Sequence, residues 1–490
     1  MFLPDNTIYT PVKDPNLSME QTPNQRISMK CRLSSYKEID KTYSAREASC
    51  EAHRCFHCPT HWCENKCPAG VPIPEFIARI REGELEEAYR LIRTRSAFPE
   101  FCSRVCPQLK QCQSECTRSI RGDAVGIGKL ERFVAEQHYA QGIPEQTEPA
   151  NGKKVAVIGS GPSGLSAAQF LTDWGYSVCV YERSEHVGGL LEYGIPNMKI
   201  DKSMIDRKKA SMEQQGVRFC TGVDVGHELT LEQLQEEYDA VILAIGTGRA
   251  RQISPEGAEN VSEIVSAKAF LSSATESLAG GIQGTEPVIS AKGRNVIIVG
   301  GGDTGNDCVG TAIRESCCSL LQLEMLPQRT GRTVIYDPIP RRPAPVKVDS
   351  SQEECLNRFC RAPQRYQTTI KSVTADGNGR LCSATLIHLM PKQTGSGRLE
   401  MVEVPGTEEN VPCELIVVAA GFLGPEKYVP DAFGAELTAR GNISTNQYMT
   451  RQPGVYACGD CRTGQSLVVK AMVDGRECAR AVDQYLSRKA

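Results

Sequence analysis

One pattern occurs twice in this chain: an apolar run, a glycine turn and a helical stretch. It reads VAVIGSGPSGLSAAQFL from Val155 and NVIIVGGGDTGNDCVG from Asn295, with Gly300 falling 141 residues after Gly159. That period is far too long for a solenoid and suits a duplicated domain. Two further buried-strand patterns follow, ELIVVAAGFLG (Glu414–Gly424) and GVYACGDC from Gly454, with a closing helix to Leu486. Strands alternating with helices predict a parallel, doubly wound sheet. At 490 residues the chain is too long for one core.

Glycine has a distinct task at each place in the first turn. Gly159 permits the tight bend, Gly161 lets backbone approach a pyrophosphate, and Gly164 lets helix and strand pack closely. The helix N-terminus then faces the negative charge. Glu182 ends the next strand, 18 residues after Gly164, where a carboxylate binds ribose hydroxyls. The second turn, Gly300-Gly301-Gly302-Asp303-Thr304-Gly305, predicts a second dinucleotide site. Glu324 closes its second strand and favours a free 2′-hydroxyl. Arg329 and Arg332 follow and would neutralise a 2′-phosphate, unless they are solvated loop charges.

The chain has 22 cysteines, ten of them in the first 116 residues. The start of the sequence carries no export signal, so a disulfide scaffold is not expected and the expected location is cytoplasmic. Cys55, Cys58, Cys63 and Cys67, then Cys102, Cys106, Cys112 and Cys116, offer eight thiolates, enough for two [4Fe–4S] clusters. A pair of structural zincs is the alternative by spacing alone. A helix is predicted over 74–94 and another over 128–140. Residues 1–30 read as an extended arm and 142–152 as a linker.

Several long motifs together resemble the small (beta) subunit of glutamate synthase: CFHCPTHWCENKCPAGVPIPEF, FPEFCSRVCPQLKQC, GGLLEYGIPNMKIDK, GGGDTGNDCVGTAIR and GDCRTGQSLVV. Relatives of that family are the amino-terminal half of dihydropyrimidine dehydrogenase and the large subunit of bifurcating transhydrogenases. The resemblance implies an α/β two-dinucleotide-binding-domain flavoprotein behind an N-terminal helical iron–sulfur domain. The implied bounds are 1–150 for the iron–sulfur domain, 151–287 and 425–490 for the two parts of the FAD domain, and 288–424 for the NAD(P)H domain. It places FAD at Gly159, Gly161, Pro162, Ser163, Gly164, Glu182, Arg183, Gly189, Leu190, Val225, Gly246, Gly421, Gly459, Asp460, Gln465, Ser466 and Leu467. NADPH, with NADH as the alternative, falls to the second glycine turn with Arg329 and Arg332. The implied cluster ligands cross: Cys55, Cys58 and Cys63 with Cys116, and Cys67 with Cys102, Cys106 and Cys112.

The function implied is electron input: NADPH reduces FAD, and two clusters pass electrons to a partner, the glutamate synthase large subunit. The rival is an NAD(P)H:ferredoxin or other flavoprotein-complex oxidoreductase; a non-catalytic assembly subunit is a third reading. TVIYDPIPRRPAPVK and Lys470 depart from the family pattern and bear on the choice of partner. No side chain is assigned catalytic chemistry, since hydride passes directly between stacked rings. Cys458 and Cys461 suggest a redox dithiol but stand astride the flavin-binding Gly-Asp, which favours packing. A net charge of -3 and the lack of a long apolar run give no reason to expect nucleic acid or a membrane span.

Overall fold

The cysteine-rich region folds as short helices because its apolar residues recur at helical spacing between strong stops. In the computed structural model, which describes residues 20–120, 122–279, 287–328, 349–393 and 399–488, helix Ala45–Ala52 opens on a reciprocal cap. The Ser44 hydroxyl accepts from the Glu47 N–H, and the Glu47 carboxylate accepts from the Ser44 N–H. The helix predicted over 74–94 is instead two, Ile73–Glu82 and Leu85–Arg93. Gly83 between them has φ +85°, a left-handed stop that glycine adopts without steric cost. Phe76, Ile77 and Ile80 are buried with Ala88, Tyr89 and Ile92. Helix Ile127–Gln141 ends at Gly142, φ +64°.

Among the described residues fourteen strands form three sheets. The first uses β1 (Lys154–Ile158), β2 (Ser177–Glu182), β3 (Arg218–Thr221), β4 (Ala240–Leu243) and, from the far end of the chain, β14 (Val455–Ala457), in the order β14-β4-β1-β2-β3. All pairs are parallel. The second parallel sheet is β5-β13-β6-β7-β8, from Ile264–Ser266, Leu415–Val418, Asn295–Val299, Ser319–Glu324 and Gln364–Tyr366. Between β8 and β13 runs an antiparallel sheet of β9 (Thr368–Ala375), β10 (Leu381–Gln393), β11 (Leu399–Glu403) and β12 (Glu409–Pro412). The duplication is therefore structural: β1 and β6 hold corresponding central places.

Two boundaries differ from the sequence reading. The break expected at 287 falls earlier, because β5 already pairs with β13 of the second sheet. Phe270 and Leu271, on the following helix Ala267–Ala279, are buried in that sheet's core. The second module thus leaves and rejoins the first at one place, where Ala250 bridges Phe422 and Arg251 N–H donates to the Gly421 carbonyl at 2.8 Å. The arm expected over 1–30 is described from residue 20 onward, and it runs into a helix, Met29–Ser34, capped by Ser28. Arg32 on that helix is buried against Glu354 at 2.9 Å, which also takes Arg314 at 2.7 Å. That strap ties the cysteine-rich region to the second module. Core residues of the cysteine-rich helices and the first sheet form one continuous apolar cluster.

Candidate functional site

A cavity of about 800 Å³ opens at the carboxyl ends of β1 and β2, where doubly wound sheets bind ligands. Its wall includes Gly159, Gly161, Pro162, Ser163, Glu182, Arg183, Gly189, Leu190, Val225, Gly246, Asp460, Ser466 and Leu467. Residues 301 apart in sequence are brought together here, from Gly159 to Asp460. The glycines serve different contacts. A Cβ on Gly159 would stand 2.6 Å from the Ala244 carbonyl, and one on Gly164 would stand 1.9 Å from the Gly159 carbonyl. Gly161 has open space around its missing side chain, the room a pyrophosphate requires.

Glu182 is held by the turn itself. One carboxylate oxygen accepts from Ser160 N–H (3.0 Å) and hydroxyl (2.6 Å), and the other from Ser184 N–H (2.9 Å). Arg183 pairs with Glu426 at 2.6 Å, and that pair raises the guanidinium pKa. Gly164, Gly421, Gly459 and Gln465 lie outside the cavity wall and position it. Gln465 accepts from Phe422 N–H at 2.8 Å and packs on Gly421, joining the end of the second sheet to the cavity mouth. Gly459, φ +74°, donates its N–H to Asp474 at 2.7 Å. Asp460 accepts from the Ser466 hydroxyl at 2.9 Å, and burial raises its carboxyl pKa. Helix Val468–Ser487 begins immediately after, with its N-terminus at the cavity.

The second turn repeats the first. A Cβ on Gly300 would meet the Ala419 carbonyl at 2.5 Å, and one on Gly305 the Gly300 carbonyl at 2.0 Å, while Gly302 is open. Asp303 and Thr304 begin helix Asp303–Arg314. Glu324 reaches over Gly301, whose Cβ would stand 2.5 Å from its carboxylate. Arg329 and Arg332, and the TVIYDPIPRRPAPVK segment, lie outside the described residues.

The eight cysteines gather as two sets. Cys67, Cys102, Cys106 and Cys112 line one small cavity with Val469 and Glu131. Burial pushes the Cys55 thiol up to about 11, with Cys116 and Cys58 close enough to add to the effect. Burial likewise pushes Cys63 up to about 12, with Cys116 and Cys55 adding. The second set is therefore Cys55, Cys58, Cys63 and Cys116. Backbone N–H groups of His57 and Val125 point at Cys55 (3.5 Å) and Cys116 (3.4 Å). The first set is the inner one, under helix Val468–Ser487. The other lies beside Phe56 and Trp62, which are 58% and 50% exposed. Four convergent thiols in each set fit a [4Fe–4S] cluster.

Sequence reasoning missed several contributors. Thr247, Lys268 and Tyr428 line the large cavity, and Lys268 arrives on a helix of the second module. Asp474 holds Gly459, and Glu131 lines the inner thiol cavity, its carboxyl pushed up to about 8 by burial and by Glu100. These contacts join distant parts of the chain and carry no local signal. Cys458 and Cys461 are buried; a hydrogen bond with the free Cys478 thiol and then burial push the Cys458 thiol up, and burial pushes up Cys461. That keeps them protonated, which suits packing and not dithiol chemistry.

Two parallel nucleotide-binding modules behind a helical domain of two tetracysteine sets define an iron–sulfur flavoprotein oxidoreductase. Residues 32–143 match the family described as dihydropyrimidine dehydrogenase domain II, 4Fe-4S cluster, and residues 153–475 match pyridine nucleotide-disulphide oxidoreductase. The chain is 36% identical to the glutamate synthase [NADPH] small chain of Bacillus subtilis, over 93% of this chain and 94% of that one. It is 31% identical to the Escherichia coli small chain over 94% and 95%. This chain belongs to the glutamate synthase small-chain family. It also aligns at 36% identity with the glutamate synthase [NADH] of Schizosaccharomyces pombe, spanning about a fifth of that longer protein (22%). FprA of Mycobacterium tuberculosis, solved in complex with NADPH, shares the fold at 17% identity, TM-score 0.54, over 70% of this chain and 85% of that one.

Proposed function

We propose that this chain is the electron-input subunit of a glutamate synthase, accepting hydride from NADPH and delivering single electrons to a large subunit. The carrying observation is that one helix borders both the large cavity and the inner cysteine set, while the outer set has exposed Phe56 and Trp62 next to Cys55 and Cys63. With FAD in the first cavity and two [4Fe–4S] clusters on the cysteines, two-electron hydride chemistry is converted to one-electron transfer.

The chain's own residues bind and orient. Gly161 leaves room for the pyrophosphate, and the N-terminus of helix Pro162–Asp173 faces it. Glu182, fixed by Ser160, faces a ribose. Gly459, held by Asp474, and Asp460, held by Ser466, would meet the ribityl chain, and the N-terminus of helix Val468–Ser487 would face the ring, where a helix dipole favours negative charge. Gly300 to Gly305 receive NADPH. No side chain in the cavity is required as a general acid or base.

Anaerobic titration followed by visible and EPR spectra tests this reading. NADPH is expected to bleach flavin and then develop cluster signals, and the reading fails if neither nucleotide does so. Glu324 beside Gly301 favours a second reading, NADH as donor, because a carboxylate there binds a free 2′-hydroxyl. Titrating with both nucleotides separates them. Recovery of the chain with a large amidotransferase subunit supports the partner, and recovery with a ferredoxin-linked complex overturns it.

A further inference from the structure

The first turn of helix Val468–Ser487 is a wall shared by two cavities. Leu467, Val468 and Ala471 face the large cavity, while Val469 faces the inner cysteine set. This helix, about 10 Å across with its side chains, borders both of them. Met472 continues the inner face and is fully buried (0% exposed). Its thioether lies 3.8 Å from Cys102 Sγ and accepts from the Ser96 hydroxyl at 3.4 Å. One turn further on, Arg476 donates to the Ala69 carbonyl (3.1 Å) and the Arg95 carbonyl (2.6 Å). Those carbonyls lie just after Cys67 and just before helix Pro99–Val105, which carries Cys102. The helix is thus pinned to the inner set at the same place where it borders the flavin cavity.

We propose that Met472 is a positioning residue for the inner cluster, its polarisable sulfur setting the electronic environment of the Cys102 thiolate and the flavin-to-cluster coupling. The inference rests on the electron-input reading above. The balance is simple: each hydride brings two electrons and a proton, the electrons leave singly to two clusters that each go from the 2+ to the 1+ state, and the proton goes to solvent. A thioether is the suitable neighbour, being apolar enough for a dry wall yet soft toward sulfur. Groups beside metal ligands typically change affinity or activity by about 10–100-fold when removed.

The test uses the whole chain with Met472→Leu, which keeps volume and removes sulfur, and Ser96→Ala, which keeps sulfur and removes its donor. Cys106→Ser and Cys58→Ser chains assign the inner and outer EPR signals. After dithionite reduction, which bypasses the nucleotide, Met472→Leu is expected to shift the inner signal and its midpoint potential and leave the outer signal unchanged. Ser96→Ala should shift the inner signal by less. In stopped flow with NADPH, flavin bleaching should keep its rate while inner-cluster reduction changes by about 10-fold. An unchanged inner signal and rate in Met472→Leu overturns the proposal, as does a shift confined to the outer signal. If Met472→Leu loses about half its iron, loss of the inner signal supports the placement and loss of the outer one refutes it. Failure of NADPH to bleach the wild-type flavin sinks the electron-input reading alone, since the dithionite arm still reads Met472.

Discussion

Exchanging two glycines of the first turn, one at a time, separates packing from ligand binding. In Gly164→Ala the new methyl stands 1.9 Å from the Gly159 carbonyl, where ordinary contact begins at 3.4 Å, so turn and helix must part by roughly 1.5 Å. Overpacking of that kind costs about 1–3 kcal/mol. Alanine returns up to about 1 kcal/mol of helix propensity. The net loss of up to about 3 kcal/mol lowers the melting temperature of flavin-free protein by up to about 12 °C. Gly161→Ala meets nothing within 4 Å at an ordinary φ of -66°, so the flavin-free protein should melt as wild type. Its methyl instead fills the approach to the helix N-terminus, and FAD affinity should fall at least about tenfold, or about 1.4 kcal/mol. Both variants are stripped of flavin, melted by calorimetry, and titrated with FAD by fluorescence quenching. Wild-type FAD affinity in Gly161→Ala would refute the placement of the pyrophosphate. Equal melting losses in the two variants would refute the packing argument.

Glu145, in the segment joining the cysteine-rich helices to the first sheet, has its carboxyl held down at about 2. Burial opposes this, but Arg93 and Lys208 outweigh it. A lowered folded pKa stabilises above the ordinary value of 4.5 and fades as pH falls towards 2, so Glu145→Gln should flatten acid unfolding across that window in circular dichroism. Glu51 and Arg54 form a fully buried pair at 2.6 Å, and Glu51 also accepts from Gly126 and Thr22 N–H groups. Arg54→Met leaves that carboxylate buried without its cation and should cost about 3–5 kcal/mol, read as a lower urea midpoint. Cys58→Ser and Cys106→Ser should each remove one cluster, taking iron from about eight to about four per chain with different EPR signals lost; loss of the same signal in both would refute the two sets.

Features written in neighbouring residues were legible in the sequence. Gly159 to Gly164 and Gly300 to Gly305 are turn chemistry within a few residues, and Glu182 follows from strand length. Gly83 announced a helix stop, but the apolar period continues on both sides of it and hid the break. β5 is three residues long and too short for a pattern, so the module boundary was set too late. Cysteine spacing supplied eight thiols but not their grouping, because Cys116 reaches Cys55 and Cys63 by folding back, while Cys67 turns to the other set. Ser160 beneath Glu182, Asp474 beneath Gly459 and Met472 beside Cys102 act across contacts that only tertiary structure makes.

The second module enters and leaves through one doorway, at Ala250 and Phe422. Its ends are a strand spacing apart, about 5 Å, so it is built as an exchangeable cassette. Under the proposed reading of this module as the nucleotide-donor site, a cassette for another donor would replace it while the thiol sets and the sheet of β1 to β4 and β14 stay as they are. The constraints are the strap of Arg32 on Glu354 and the segment 264–279, whose Lys268, Ser272 and Thr275 reach back into the large cavity. A graft that keeps this segment would change which nucleotide is read and leave the electron outlet at its own potential.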